Sequence, residues 1–203
     1  IPFDEDYTHA TYDREHVEAF HRALGQAYRL IAVFQARYVG KASPVHFFWG
    51  SFDLTTARFS GRRAPTHPGG SPNVASWVME EAYSHELSSA GWWATSPELG
   101  PALFAYFYPE PAGFATAAIR PAAAFYDAKL GEFVLRCDDL REMADPETAV
   151  AEFLEDTHIR GADLGDWPRS ALEPANYPSG RPRRAWSTSA TGLGAIPSTG
   201  DQR

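Results

Sequence analysis

The sequence predicts an α+β fold, with an antiparallel or mixed sheet of about four to five strands and two main helices packed on it. Two segments, near residues 13–40 and 145–161, repeat apolar residues at helical spacing. Several short runs rich in aromatic and β-branched residues lie between them, each bounded by proline or glycine. Their order is helix, strand, loop, three or four strands, helix.

In the first helix, Asp13 is the expected N-cap and Glu15 sits in the first turn, where a negative charge is favourable. Val17, Phe20, Leu24, Tyr28, Ile31, Phe34 and Tyr38 then form one apolar stripe. Gly40 is the expected stop, and Ser43-Pro44 forbids continuation. The stretch Ser43–Arg63 reads as one long central strand with His46, Asp53 and Arg58 set among aromatics. Ionisable groups drawn into a covered strand need partners or a ligand.

The segment after Gly61, RRAPTHPGGSPN, reads as a long loop, with a short helical turn expected at Val74–Met79. Residues 80–94 and Ala102–Tyr108 read as strands, and Pro121–Tyr126 with Glu132–Leu135 as a hairpin closed by Gly131. Asp145-Pro146 starts the second helix, with Val150, Phe153, Leu154, Thr157 and His158 on its inner side and Gly161 or Gly165 at its end. Residues 1–173 are expected to make one domain, and 174–203, rich in Pro, Ser, Gly and Thr, a disordered tail.

Formal net charge is -8. The last thirty residues carry +3, from four Arg and one Asp, so residues 1–173 carry -11. An acidic body argues against nucleic acid as a partner. No run of eighteen apolar residues occurs, so no membrane partner is expected. The single cysteine, Cys137, excludes an internal disulfide and fits a cytoplasmic location. The start at IPFDED, without Met, suggests a piece of a longer chain.

Three constellations could carry chemistry. Arg58, Arg62 and Arg63 flank Ser60-Gly61, a pattern suited to a carboxylate or phosphate. The plainer reading is that they pair with some of the 26 acids. Tyr83-Ser84-His85-Glu86 supplies a histidine that could exchange protons with Asp53 or Glu110. The plainer reading is a core histidine satisfied by a hydroxyl. His46, His67 and His85 with Asp53 or Glu86 lack any metal-site spacing, and no metal is expected. No nucleophile-elbow, dinucleotide or P-loop motif occurs, so no cofactor is expected. Trp49, Tyr83 and Tyr106 are aromatics that could line a pocket or simply fill a core.

The blocks SPVHFFWGSFDLTTARFSGRRAP (43–65), EAYSHELSSAGWW (81–93), YFYPEPAGF (106–114) and RPAAAFYDAKLGEFVL (120–135) resemble the bacterial family DUF5996. The resemblance runs over about residues 1–173. It implies a further N-terminal portion in family members and carries no assigned activity, so no site residue comes with it. Arginine in place of lysine nearly throughout suggests a GC-rich bacterial gene.

The functional expectation is a small, anionic ligand held beside the central strand. Arg58 and Arg62 would bind its charge, Trp49, Tyr83, Tyr106, His46 and Glu86 its body, and His85 with Asp53 or Glu110 would move protons. Cofactor-independent hydrolysis is the reaction class expected first. The competing expectation is a structural module that packs on the N-terminal portion or on a second copy.

Overall fold

The structure, a computed structural model, describes residues 2, 4–9, 12–70, 74–94 and 98–174. Six strands form one antiparallel sheet: β1 (His46–Phe48), β2 (Asp53–Arg63), β3 (His85–Trp93), β4 (Ala102–Tyr108), β5 (Phe125–Asp127) and β6 (Glu132–Arg136), in the order β1-β2-β3-β4-β6-β5. The helices are α1 (Arg14–Ala36), α2 (Ser76–Ala82), α3 (Cys137–Arg141), α4 (Pro146–Leu164) and α5 (Arg169–Leu172). The α+β class expected from the sequence is what forms, with one strand more than the upper count.

Both helix starts follow their local chemistry. The Asp13 carboxylate accepts the His16 N–H at 2.9 Å, and the Asp145 carboxylate accepts the Thr148 N–H at 3.1 Å ahead of Pro146. Both long helices pack on one face of the sheet. There Ile31, Phe34, Val150, Phe153 and Leu154 meet Leu54, Ala90, Trp92, Leu103, Ala105, Phe107, Phe133 and Leu135 in one core. Fully burying each large side chain contributes roughly 1.5–3 kcal/mol. We call this the helix face.

Strand alternation sends the intervening residues to the opposite, front face: Asp53, Thr55, Ala57 and Phe59 on β2, Leu87, Ser89, Gly91 and Trp93 on β3, Phe104, Tyr106 and Tyr108 on β4, and Glu132 and Val134 on β6. Ala64, Pro65 and His67 lie against this face together with Tyr83, the residue that follows α2. Ala64 N–H donates to Ser84 C=O (3.1 Å) and the Tyr108 hydroxyl to Pro65 C=O (3.0 Å).

Several expectations are corrected. The long strand 43–63 is a hairpin, with β1 and β2 joined by a turn at Trp49–Phe52 in which Phe52 takes φ 58°. Folding back brings His46 opposite Thr55. Residues 80–82 belong to α2, and the strand starts at His85. The expected strand 121–126 shrinks to Phe125–Asp127. Helix α1 ends at Ala36, ahead of Gly40, and its stripe is buried only toward its C-terminal half, with Val17 and Tyr28 exposed. The expected tail, beyond Pro174, lies outside the described residues. No described helix is long and apolar enough to cross a membrane.

Candidate functional site

The front face gathers polar side chains that a covered sheet surface does not need for packing. Thr55 Oγ1 donates to Ala90 C=O at 2.9 Å and lies 3.3 Å from Ser89 Oγ. Beside Ser89 in the register is Tyr106, whose hydroxyl lies 2.9 Å from that of Tyr83. Tyr83 is the residue that follows α2, so this bond ties the end of that helix to the sheet. His67 stacks at 4.6 Å from the Tyr83 ring and 5.1 Å from the Tyr108 ring. On the other side Trp93 stacks on Phe104 at 5.0 Å, nearly parallel.

Gly91 makes that aromatic wall possible. A Cβ there would meet Leu54 C=O at 2.4 Å and the Phe104 ring at 2.6 Å. The Phe104 ring therefore lies over the β3 backbone in space only glycine leaves free.

Glu132, at the start of β6, is the electrostatic centre. Its Oε2 is buried and has no hydrogen-bond partner among the described residues. Burial, reinforced by the nearby charges of Asp53 and Asp127, pushes the Glu132 carboxyl up to about 7. Burial also raises Asp53, against the bond from Ser51 Oγ and the nearby His46. Burial drives the Tyr106 hydroxyl well above its usual range and raises Tyr83 as well. The face thus offers a neutral or half-ionised acid, a second carboxyl, paired phenols and hydroxyls within aromatic walls. Among the described residues no His, Cys, Asp and Glu group has the make-up of a metal site.

A family model described as a family of unknown function, DUF5996, matches residues 1–174. The chain belongs to the DUF5996 family. No curated protein and no solved structure matches it.

In this DUF5996 chain the residues expected to form one site separate into six places. Asp53, Tyr83 and Tyr106 come together on the front face, with His46 beside them on β1. His85 lies on the same face but opposite Arg63, at the far end of the β2–β3 pair from Asp53, which opposes Trp93. His85 and Asp53 therefore cannot share a proton. Glu110 is in neither group, because it accepts the Tyr126 hydroxyl. Trp49 stands on the hairpin turn, 82% exposed.

The arginines turn away from the front face. Arg58 is sealed on the helix face, its guanidinium carbon 3.4 Å from the Phe34 ring centroid, donating to Phe34 C=O and 3.8 Å from Glu155. Burial lowers its pKa to about 10, against the raising influence of Glu155. Arg62 donates to Glu86 at 2.8 Å and to the carbonyls of Asp166 and Gly165. Glu86 is held in turn by Ser60 Oγ at 2.8 Å. The anion clamp expected from Arg58 and Arg62 is an internal brace.

Sequence reasoning missed Thr55, Ser89 and Glu132, and it missed a second constellation of the DUF5996 chain. On the helix face, His158 Nδ1 lies 3.1 Å from Ser88 Oγ and its Nε2 3.2 Å from Glu173 Oε1. The residue types are those of a nucleophilic triad. Yet Ser88 and His158 are both buried, and His158 is walled by the rings of Phe34, Tyr38, Phe107 and Trp167. A carbonyl substrate has no approach, so the array is a tie between β3, α4 and the segment after α5. Burial, then the Arg58 charge, lowers His158 to about 4, so it is neutral. Burial would raise Glu173, but the bonds from His158 and Arg169 outweigh it and hold the carboxyl at about 2.

Proposed function

We propose that this DUF5996 chain binds a small polar molecule on the front face of its sheet, over β2–β6 and beside His67 and Tyr83. The observation that carries the reading is the Glu132 carboxyl, half-buried within the electrostatic reach of Tyr106 and Asp53, with its Oε2 buried and without a hydrogen-bond partner among the described residues. A buried acid left open in this way gains from a donor supplied by a ligand.

The reading keeps the small molecule expected from the sequence and changes its charge. Arg58 and Arg62 have internal partners, and the groups that influence Glu132 are acidic. An amine or a polyhydroxylated molecule suits this surface: its donors meet carboxyl oxygens, and its body lies against Trp93, Phe104 and Tyr83. If the bound molecule is turned over, Glu132 is the group poised to give a proton near neutrality and Asp53 the one to take it, which is the acid–base pairing of a cofactor-independent hydrolase.

The test is a thermal-shift screen of amines, sugars and polyols against the wild-type chain and the Glu132→Gln and Tyr106→Phe variants. The reading requires a class of compound that raises the wild-type melting temperature and loses most of that effect in both variants. Equal shifts in all three proteins, or none in any, would sink it.

A second reading, a module that assembles with another copy, is favoured by the exposed aromatics at the hairpin tip, Phe48, Trp49 and Phe52. Sedimentation of the wild type and a Trp49→Ser variant separates the two readings, since only assembly depends on that side chain.

A further inference from the structure

At the opposite end of the front face from Asp53 lies a cleft of about 420 Å³, lined by Lys41, Phe59, Gly61, Glu81, Ser84 and His85. Its origin is a defect in the sheet. Pairing of β2 with β3 is regular to Phe59↔Leu87 and resumes at Arg63↔His85, so four residues of β2 advance against two of β3. Gly61, in the bulge, has φ +89°, and a Cβ there would meet open space. A bulge interrupts the ladder here, and the chain ahead of β1 closes one side, where Phe59 N–H donates to Lys41 C=O at 2.9 Å. The last residues of α2 and Ser84 close the other.

Two cations near this cleft have no ion pair among the described residues, whereas a third does. Arg62, from the same bulge, is turned to Glu86 on the helix face. Lys41 instead leans over the Phe59 ring, Nζ 5.7 Å from its centroid, and among the described residues no carboxylate lies within 4 Å of it. Arg63, the register partner of His85, has no ion pair among the described residues either. Ser84 Oγ lies 3.1 Å from His85 Nδ1, so the hydroxyl and ring are already oriented toward each other at the wall. Glu81 is the one acid in the lining and sits on the helix side of it.

We propose that the cleft is a binding site for a small oxyanion, a carboxylate or phosphate group, held chiefly by Lys41 and His85, with the Ser84 hydroxyl as a further donor. Lys41 supplies a mobile ammonium that a surface ion pair would otherwise have neutralised. Glu81 limits the ligand to one whose charge is compact and turned toward Lys41. This site is independent of the Glu132 pocket: it uses no residue of that cluster and takes the opposite charge.

The experiment is titration of the whole chain at low ionic strength with inorganic phosphate and, separately, acetate, followed by amide NMR shifts. Wild type, Lys41→Gln, His85→Gln and Glu132→Gln are compared, with melting curves to verify folding. The site predicts saturable shifts at Gly61, Ser84 and His85, weakened about tenfold in Lys41→Gln, reduced in His85→Gln and unchanged in Glu132→Gln. Saturation by both anions assigns a general oxyanion site, and saturation by one assigns its class. No saturable shifts at these residues, or the same affinity in wild type and Lys41→Gln, would overturn the proposal.

Discussion

Tyr83 and Tyr106 join hydroxyls at 2.9 Å, one on the residue that follows α2 and the other in the middle of β4. The bond fixes where the end of α2 meets the sheet, and both hydroxyls are raised by burial. Replacing Tyr106 with Phe leaves Tyr83 without this partner, at an expected loss of about 1 kcal/mol. Helix α2 should also loosen locally, seen as faster amide exchange at residues 76–84 with β4 itself unchanged.

Glu132 and His158 give opposite pH responses in the folded state. Glu132 is raised from 4.5 to about 7, so its contribution is fully present below pH 4.5 and is lost as pH climbs through 7. His158 is lowered from 6.5 to about 4, so its contribution is present above pH 6.5 and is lost as pH falls through 4. Melting temperature against pH is therefore expected to fall less steeply between pH 5 and 7 in Glu132→Gln than in wild type. His158→Gln should flatten the acid limb between pH 6.5 and 4. A Glu132→Gln profile that overlays wild type across that range would contradict the first expectation.

Arg58 acts in folding. Arg58→Ala removes a buried cation from Glu155, Phe34 and Tyr38 and is expected to destabilise by about 3–5 kcal/mol in urea titration. Arg58→Met, which keeps the volume against the rings, should lose much less. A ligand-binding role would instead give two variants equally stable and equally unable to bind.

Gly91→Ala tests the aromatic wall. The added methyl has no room beside Leu54 C=O and the Phe104 ring, and an expected loss of about 1–3 kcal/mol follows from the forced shift. Near-ultraviolet circular dichroism should change with it, because the Trp93–Phe104 stack is what must move. An unchanged aromatic spectrum would show that the ring is not confined as described.

Where local chemistry decides an element, the sequence was readable. Asp13 and Asp145-Pro146 announce their helices, and the aromatic run 102–108 announces β4. The β1–β2 hairpin was not readable, because its turn, Trp49–Phe52, carries none of the Asn-Gly or Asp-Gly signals and asks Phe52 for a positive φ. In one continuous strand His46 and Asp53 would point to opposite faces, and the hairpin puts them on the same one. The roles of Arg58 and Arg62 depended on which side of the sheet the helices take, and strand alternation is silent on that. Glu132 stood at the edge of an apolar strand, and only its pairing opposite Asp127 and its nearness to Asp53 and Tyr106 reveal it as an acid with a buried oxygen. Ser88, His158 and Glu173 are brought together by the packing of α4, with the first two seventy positions apart and no local signal.

The claim that the front face is a binding surface is tested most directly by locating a bound molecule. Amide and tyrosine ring shifts of the labelled chain, recorded with the best amine or polyol from the screen, are predicted to cluster on Asp53, Tyr83, Ser89, Tyr106 and Glu132. Shifts confined to the hairpin tip around Trp49, or scattered over the helices with Glu132 untouched, would contradict it.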